Sequence, residues 1–153
     1  MTAIDGATRH RAREAALQML YQWEVGRASA HEAIVTYWPS RAADEDEPED
    51  KDEDVPEAAR DFANALVRTT IERVAEADEI IAAHARNWRV ERMAVIDRLV
   101  LRLAIAELLS DPEIPGRVVI NEALELARTF SGEEPVPFIN GILDAVMKTL
   151  KRE

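Results

Sequence analysis

Cysteine is absent from the 153 residues, so the chain has no disulfide framework, no thiolate metal ligand and no thiol nucleophile. Glycine occurs five times and never as a phosphate-cradling loop, and there is no HExxH zinc motif. No window alternates apolar and polar residues as a half-buried strand does. Histidine is also scarce: the residues three positions before His10, His31 and His84 are Ala7, Ala28 and Ile81. The Glu-x-x-His pairs of a di-iron helical bundle are therefore missing. The N-terminal MTAIDGATRHRAR has no apolar run of the signal-peptide kind, which together with the missing cysteines predicts a cytoplasmic protein. Catalytic residues, metal ligands and cofactors are accordingly all expected to be none.

What remains is a composition suited to helices. The chain is 47% hydrophobic but only 5% aromatic, rich in Ala, Leu, Arg and Glu, and this favours an all-α fold. Its length suits one domain over residues 1–153. The stretch Met93 to Leu109, MAVIDRLVLRLAIAELL, carries apolar residues on most sides and reads as a central buried helix. Arg102 splits its apolar run, so it is not a membrane span. Asp97, Arg98 and Arg102 share one side, expected to meet water or a partner, whereas Glu107 falls within the apolar stripe and needs an Arg or backbone donor.

Taken in order, Thr8 is placed to cap a helix beginning near Arg9 and ending at Gly26, with Ala16, Leu20 and Trp23 on one buried line and Tyr21 on its shoulder. Ser29 and Glu32 have capping-box spacing for a second helix, in which Ile34, Tyr37 and Trp38 face inward and which Pro39 closes. Pro56 opens a helix with Ala59, Phe62, Ala63, Leu66, Val67 and Val74 at helical spacing, and another runs from Asp78 to about Arg86. Trp88 falls in the connector before the central helix. A penultimate helix spans Gly116 to Phe130 with Gly132 as its stop, and a last one opens at Pro137, where Gly141 is expected to permit close backbone packing. All seven prolines are thus read as lying in connectors or at helix starts. His31 and His84 are read as surface residues, and Glu122 and Glu125, one turn apart, as solvated or structural.

The net charge of −11 is unevenly spread. Asp44 to Asp54, DEDEPEDKDED, holds nine acids and one lysine, a local −8, leaving 18 bases and 21 acids, or −3, elsewhere. The acidic segment at 40–55 lacks apolar periodicity and is predicted to be a disordered loop. The near-neutral remainder is free to present a basic edge. That edge is Arg9, His10, Arg11 and Arg13, read as first-turn residues at the positive end of a helix dipole, where bases are disfavoured. A phosphate-binding arm and a frayed, solvated terminus are both open on charge alone.

RHRAREAALQMLYQWE, DRLVLRLAIAELL, IPGRVVINEALELART and FINGILD, in this order, resemble the NusB family of transcription antitermination proteins. The resemblance covers most of the chain outside the acidic loop. It implies an all-α, NusB-like fold of about seven helices in two small helical subdomains around a central buried helix. It also implies a non-enzymatic role: binding single-stranded boxA RNA of rRNA leaders together with the ribosomal protein NusE, within an RNA polymerase antitermination complex and away from membranes. Position by position, the family's arginine-rich arm falls on Arg9, His10, Arg11 and Arg13. His10 departs from the usual basic residue there, which makes the arm weaker at pH 7 than in mild acid. The RNA-contacting aromatic falls on Phe138 and the acidic loop position on Glu134. Tyr21 and Asp97 fall where the protein partner docks. Monomer and homodimer are both open. The N-terminal domain of rRNA cytosine methyltransferases is similar in fold, but 153 residues leave no room for its Rossmann domain. A helical protein–protein interaction module without RNA is the competing reading. Salt titration separates it from an arm neutralising three phosphates, which gives a log–log slope of about −2 on single strands.

Overall fold

The computed structural model describes residues 5–42, 55–85 and 89–153. Among them the chain forms seven α-helices, one 3-10 turn and no strand: α1 Gly6–Glu24, α2 Ala30–Ala42, α3 Glu57–Glu72, α4 Val74–His84, α5 Val95–Ser110, α6 Gly116–Phe130 and α7 Val136–Thr149, with the 3-10 turn at Val90–Arg92. The fold is all-α, and it divides into two compact units, Met1–Arg68 and Thr69–Glu153. None of these helices is long and apolar enough to cross a membrane. Most of the acidic segment, and Trp88, lie outside the described residues.

In the first unit α1 packs on α2. Thr8 does not cap α1; the helix starts a turn earlier, and Asp5 is the cap, its carboxylate accepting from the Thr8 N–H at 2.7 Å. Aspartate is the better cap, because its charged oxygen meets an orphan N–H at the positive helix end. Ala12, Ala15, Ala16, Leu17, Met19 and Leu20 form the buried face of α1, while Trp23 is only half-buried. The Ser29 hydroxyl accepts from the Glu32 N–H at 3.1 Å, so the predicted cap of α2 holds. Pro39 does not close α2. It lies inside the helix, which continues to Ala42 and so takes the first residues of the predicted acidic loop. A proline removes one helical hydrogen bond and bends the helix locally, but the turns on either side keep theirs. Tyr37 and Trp38 are half-buried; the Tyr37 hydroxyl bonds Gln18 Oε1 at 2.9 Å, and Trp38 Nε1 donates to Asn64 Oδ1 at 3.1 Å.

The second unit is organised around α5, which packs against α4, α6 and α7. Ten consecutive residues, Leu99 to Leu108, are buried, and each large apolar side chain among them contributes about 1.5–3 kcal/mol. Arg102 lies on the side expected to meet water or a partner, but it is buried within the unit. Its Nε and Nη2 each donate at 2.8 Å to the two carboxylate oxygens of Asp78 on α4, the bidentate geometry that makes an interior arginine tolerable. Glu107 is buried as well and is not without a partner. Val74 belongs to α4 rather than α3, the break falling at Arg73.

The C-terminal residues close this unit. Arg152 donates to the carbonyls of Leu108, Asp111 and Ile114, satisfying oxygens that the end of α5 leaves open. This fold-back brings the Arg152 carbonyl against Gly116, where an added Cβ would overlap it and would lie 3.0 Å from Met147 Cγ and Sδ. Gly141, by contrast, has nothing within 4 Å of an added Cβ. The close-packing role predicted for Gly141 therefore belongs to Gly116. Two opposite outcomes follow in chemical denaturation. Gly141→Ala raises stability by about 0.5–1 kcal/mol through helix propensity, and Gly116→Ala lowers it by about 1–3 kcal/mol through overpacking.

Candidate nucleic-acid interface

The basic arm lies in the second and third turns of α1, because the helix begins at Gly6. The dipole penalty expected for first-turn arginines is thereby reduced, since that field fades within one turn. The Asp5 carboxyl is held below its ordinary value chiefly by the Thr8 N–H, with Thr8's side chain and Arg11 adding to the shift. A lowered folded value means that the cap stabilises above the unfolded carboxylate range and loses its effect as pH falls through the folded value.

The four basic residues have different surroundings. Arg11 is exposed, and Arg9 and His10 are half-buried. His10 Nε2 lies 2.8 Å from Glu14 Oε1, one turn along. Arg13 is only 2% exposed, and its guanidinium carbon sits 5.5 Å from the centre of the Phe62 ring on α3. Arg9 approaches the same ring at 5.9 Å. The sequence pattern had placed Phe62 simply among apolar core positions; an aromatic at helical spacing carries no sign that cations pack on it. Arg60 lies over the Trp38 ring at 5.0 Å. Tyr21, also on α1, is 39% exposed and so stands out from the core edge expected for it.

In the second unit, a concavity of about 430 Å³ brings together Asp97, Glu134 and Phe138. Met93, Ala94 and Pro135 supply further apolar lining, and Arg92 and Ser131 polar lining. Asp97 lies in the first turn of α5, and its Oδ1 accepts from the Ser131 hydroxyl at 2.7 Å. This bond ties the start of α5 to the turn that carries Glu134. Phe138 is half-buried, in the first turn of α7, and Glu134 is exposed. Arg92 and Ser131 were not picked out from the sequence, because nothing in their spacing connects them to Phe138. Glu125 pairs with Arg128 at 2.7 Å on the surface. His31 is exposed, and His84 Nδ1 lies 2.8 Å from the Ile80 carbonyl. Among the described residues no group of three or more His, Cys, Asp or Glu side chains is placed to hold a metal.

These features define an all-helical protein with arginines gathered on one helix and a ring-lined, carboxylate-bearing concavity in its second unit. The family model described as the NusB family matches residues 10–148. The transcription antitermination protein NusB of Koribacter versatilis (strain Ellin345) is 44% identical over 150 residues, covering 98% of this chain and 95% of the relative. That of Myxococcus xanthus (strain DK1622) is 44% identical over 144 residues, covering 94% and 97%. Among solved structures, T. maritima NusB is similar at 31% identity and a TM-score of 0.74, covering 97% of this chain and 93% of that one. A NusB solved with NusE in complex with dsRNA is similar at 26% identity and a TM-score of 0.78, covering 95% and 99%. The chain belongs to the NusB family.

The burial difference along the arm has a measurable consequence. Arg13→Ala removes packed methylenes and a ring contact and lowers unfolding free energy by about 1–3 kcal/mol. Arg11→Ala, on the exposed side, changes it by no more than about 0.5 kcal/mol. Urea titration of the two variants beside the unaltered protein checks both values.

Proposed function

We propose that the protein is a transcription antitermination factor that binds boxA-type single-stranded RNA of rRNA leaders together with the ribosomal protein NusE, as part of an RNA polymerase antitermination complex in the cytoplasm. The role is one of binding rather than catalysis. The reading is carried by the likeness, over 95% of this chain, to a NusB solved with NusE and dsRNA. Arg9 and Arg11, the arm arginines with surface in solvent, contact phosphates. Arg13 sets the shape of the arm from within. Phe138 stacks on an unpaired base in the concavity it shares with Glu134, the sequence-tolerant contact that single-stranded RNA offers. Tyr21 and Asp97 contact NusE. Residues 1–153 act as one RNA-binding domain.

Fluorescence anisotropy with a boxA oligoribonucleotide, with and without NusE, tests this reading. Each phosphate neutralised on a single strand adds about −0.7 to the slope of log affinity against log salt. Arg9→Gln combined with Arg11→Gln therefore flattens the slope by about 1.4. Phe138→Ala weakens binding by about 1–3 kcal/mol and leaves the salt slope unchanged. A helical interaction module without RNA contact would bind NusE normally and show no salt-dependent affinity for the oligonucleotide.

A further inference from the structure

We infer that Phe62 is a positioning residue for RNA binding, which acts by holding the Arg9 guanidinium in place while leaving its charge available to phosphate. The inference rests on the RNA-binding reading above and adds to it a residue on a different helix from the arm. Arg9 and Arg13 stand one turn apart on α1, and both place their guanidinium carbons within 6 Å of the Phe62 ring centre on α3, at 5.9 and 5.5 Å. Arg13 is enclosed and forms the inner part of this arrangement. Arg9 is its outer part: its Nε is buried with no hydrogen-bond acceptor among the described residues, while the residue as a whole keeps surface in solvent.

The choice of partner explains the role. A carboxylate would hold an arginine more tightly, as Asp78 holds Arg102 at 2.8 Å, but it would also neutralise the charge and compete with an incoming phosphate. An aromatic face attracts the cation through its quadrupole and adds no opposite charge. The ring thus restricts the long arginine side chain before RNA arrives, so less rotamer freedom is lost on binding. The planar guanidinium is the group suited to this, being weakly hydrated and able to stack and donate at once. Lysine meets only the charge requirement.

The test uses the full chain and a single-stranded boxA oligoribonucleotide. Phe62→Leu keeps the apolar contact and removes the ring face. It is expected to weaken binding by about five- to tenfold and to flatten the salt slope by about 0.7, the loss of one phosphate contact, whereas Phe62→Trp retains both. In an Arg9→Gln background, Phe62→Leu is expected to have no further effect on affinity. Should Phe62→Leu fold poorly by circular dichroism, Arg9→Lys keeps the charge without the stacking plane and is expected to show the same loss. In NMR spectra without RNA, the Arg9 Nε–H resonance is expected to be shifted upfield by the ring current and to return towards its ordinary position in Phe62→Leu. Undiminished RNA binding by folded Phe62→Leu or by Arg9→Lys would overturn the inference, as would an equal loss from Phe62→Leu with and without Arg9. Absence of the upfield shift would overturn the platform itself. The expected upfield shift with no RNA binding by the unaltered protein would overturn the RNA reading, and the role of Phe62 in it, while leaving the geometry standing.

Discussion

A charged side chain carried into a packed helical interior has to be met there, and much of this structure is arranged around that requirement. α5 is buried over ten consecutive residues, which gives its unit a core but also takes Arg102 and Glu107 out of water. An ion moved alone into such surroundings costs several kcal/mol even after relaxation. The Asp78 carboxylate meets Arg102 with two parallel hydrogen bonds, and this pair joins α4 to α5 at a defined register. The Arg152 side chain does related work on backbone charge, gathering three carbonyls near the end of α5. That contact draws the C-terminal backbone so close to α6 that only glycine fits at position 116.

The first unit adds a different chemistry around its own buried arginine. Arg13 is only 2% exposed, and the Phe62 ring lies against its guanidinium at 5.5 Å from the ring centre. An aromatic face attracts a guanidinium without bringing an opposite charge of its own, so the ring contact does not itself cancel the cation's field. In a chain whose net charge is −11, this local arrangement matters more than the overall sum, because nucleic-acid affinity depends on where cations are gathered.

Several features were legible in the sequence because they depend on local chemistry. The extent of α6 from Gly116 to Phe130, its stop at Gly132 with φ of 107°, and the Ser29 cap were all read correctly. The approximate place of α5 was evident because a helix apolar on most sides has to be buried. The errors have a common form. The sequence points to Thr8 as the cap of a helix beginning near Arg9, whereas α1 begins at Gly6 and is capped by Asp5. The local penalty of Pro39 is real and points to a stop, yet α2 continues through it to Ala42. Gly141 was assigned a packing role that helical spacing cannot distinguish from open solvent.

Composition and periodicity by themselves determined that this protein is all-helical, without thiol chemistry, with a central buried helix and arginines collected near its N-terminus. They also carried the resemblance to the NusB family. Only the tertiary structure decided which arginine is enclosed and which faces solvent, that Phe62 is a cation platform, and that Asp97, Ser131 and Phe138 line one concavity. The physical reason is range: propensity, capping and amphipathic spacing act over a few residues, so neighbouring chain carries their signal. A ring meeting a guanidinium 49 or 53 positions away, or a hydroxyl meeting a carboxylate 34 positions away, exists only after distant helices have packed.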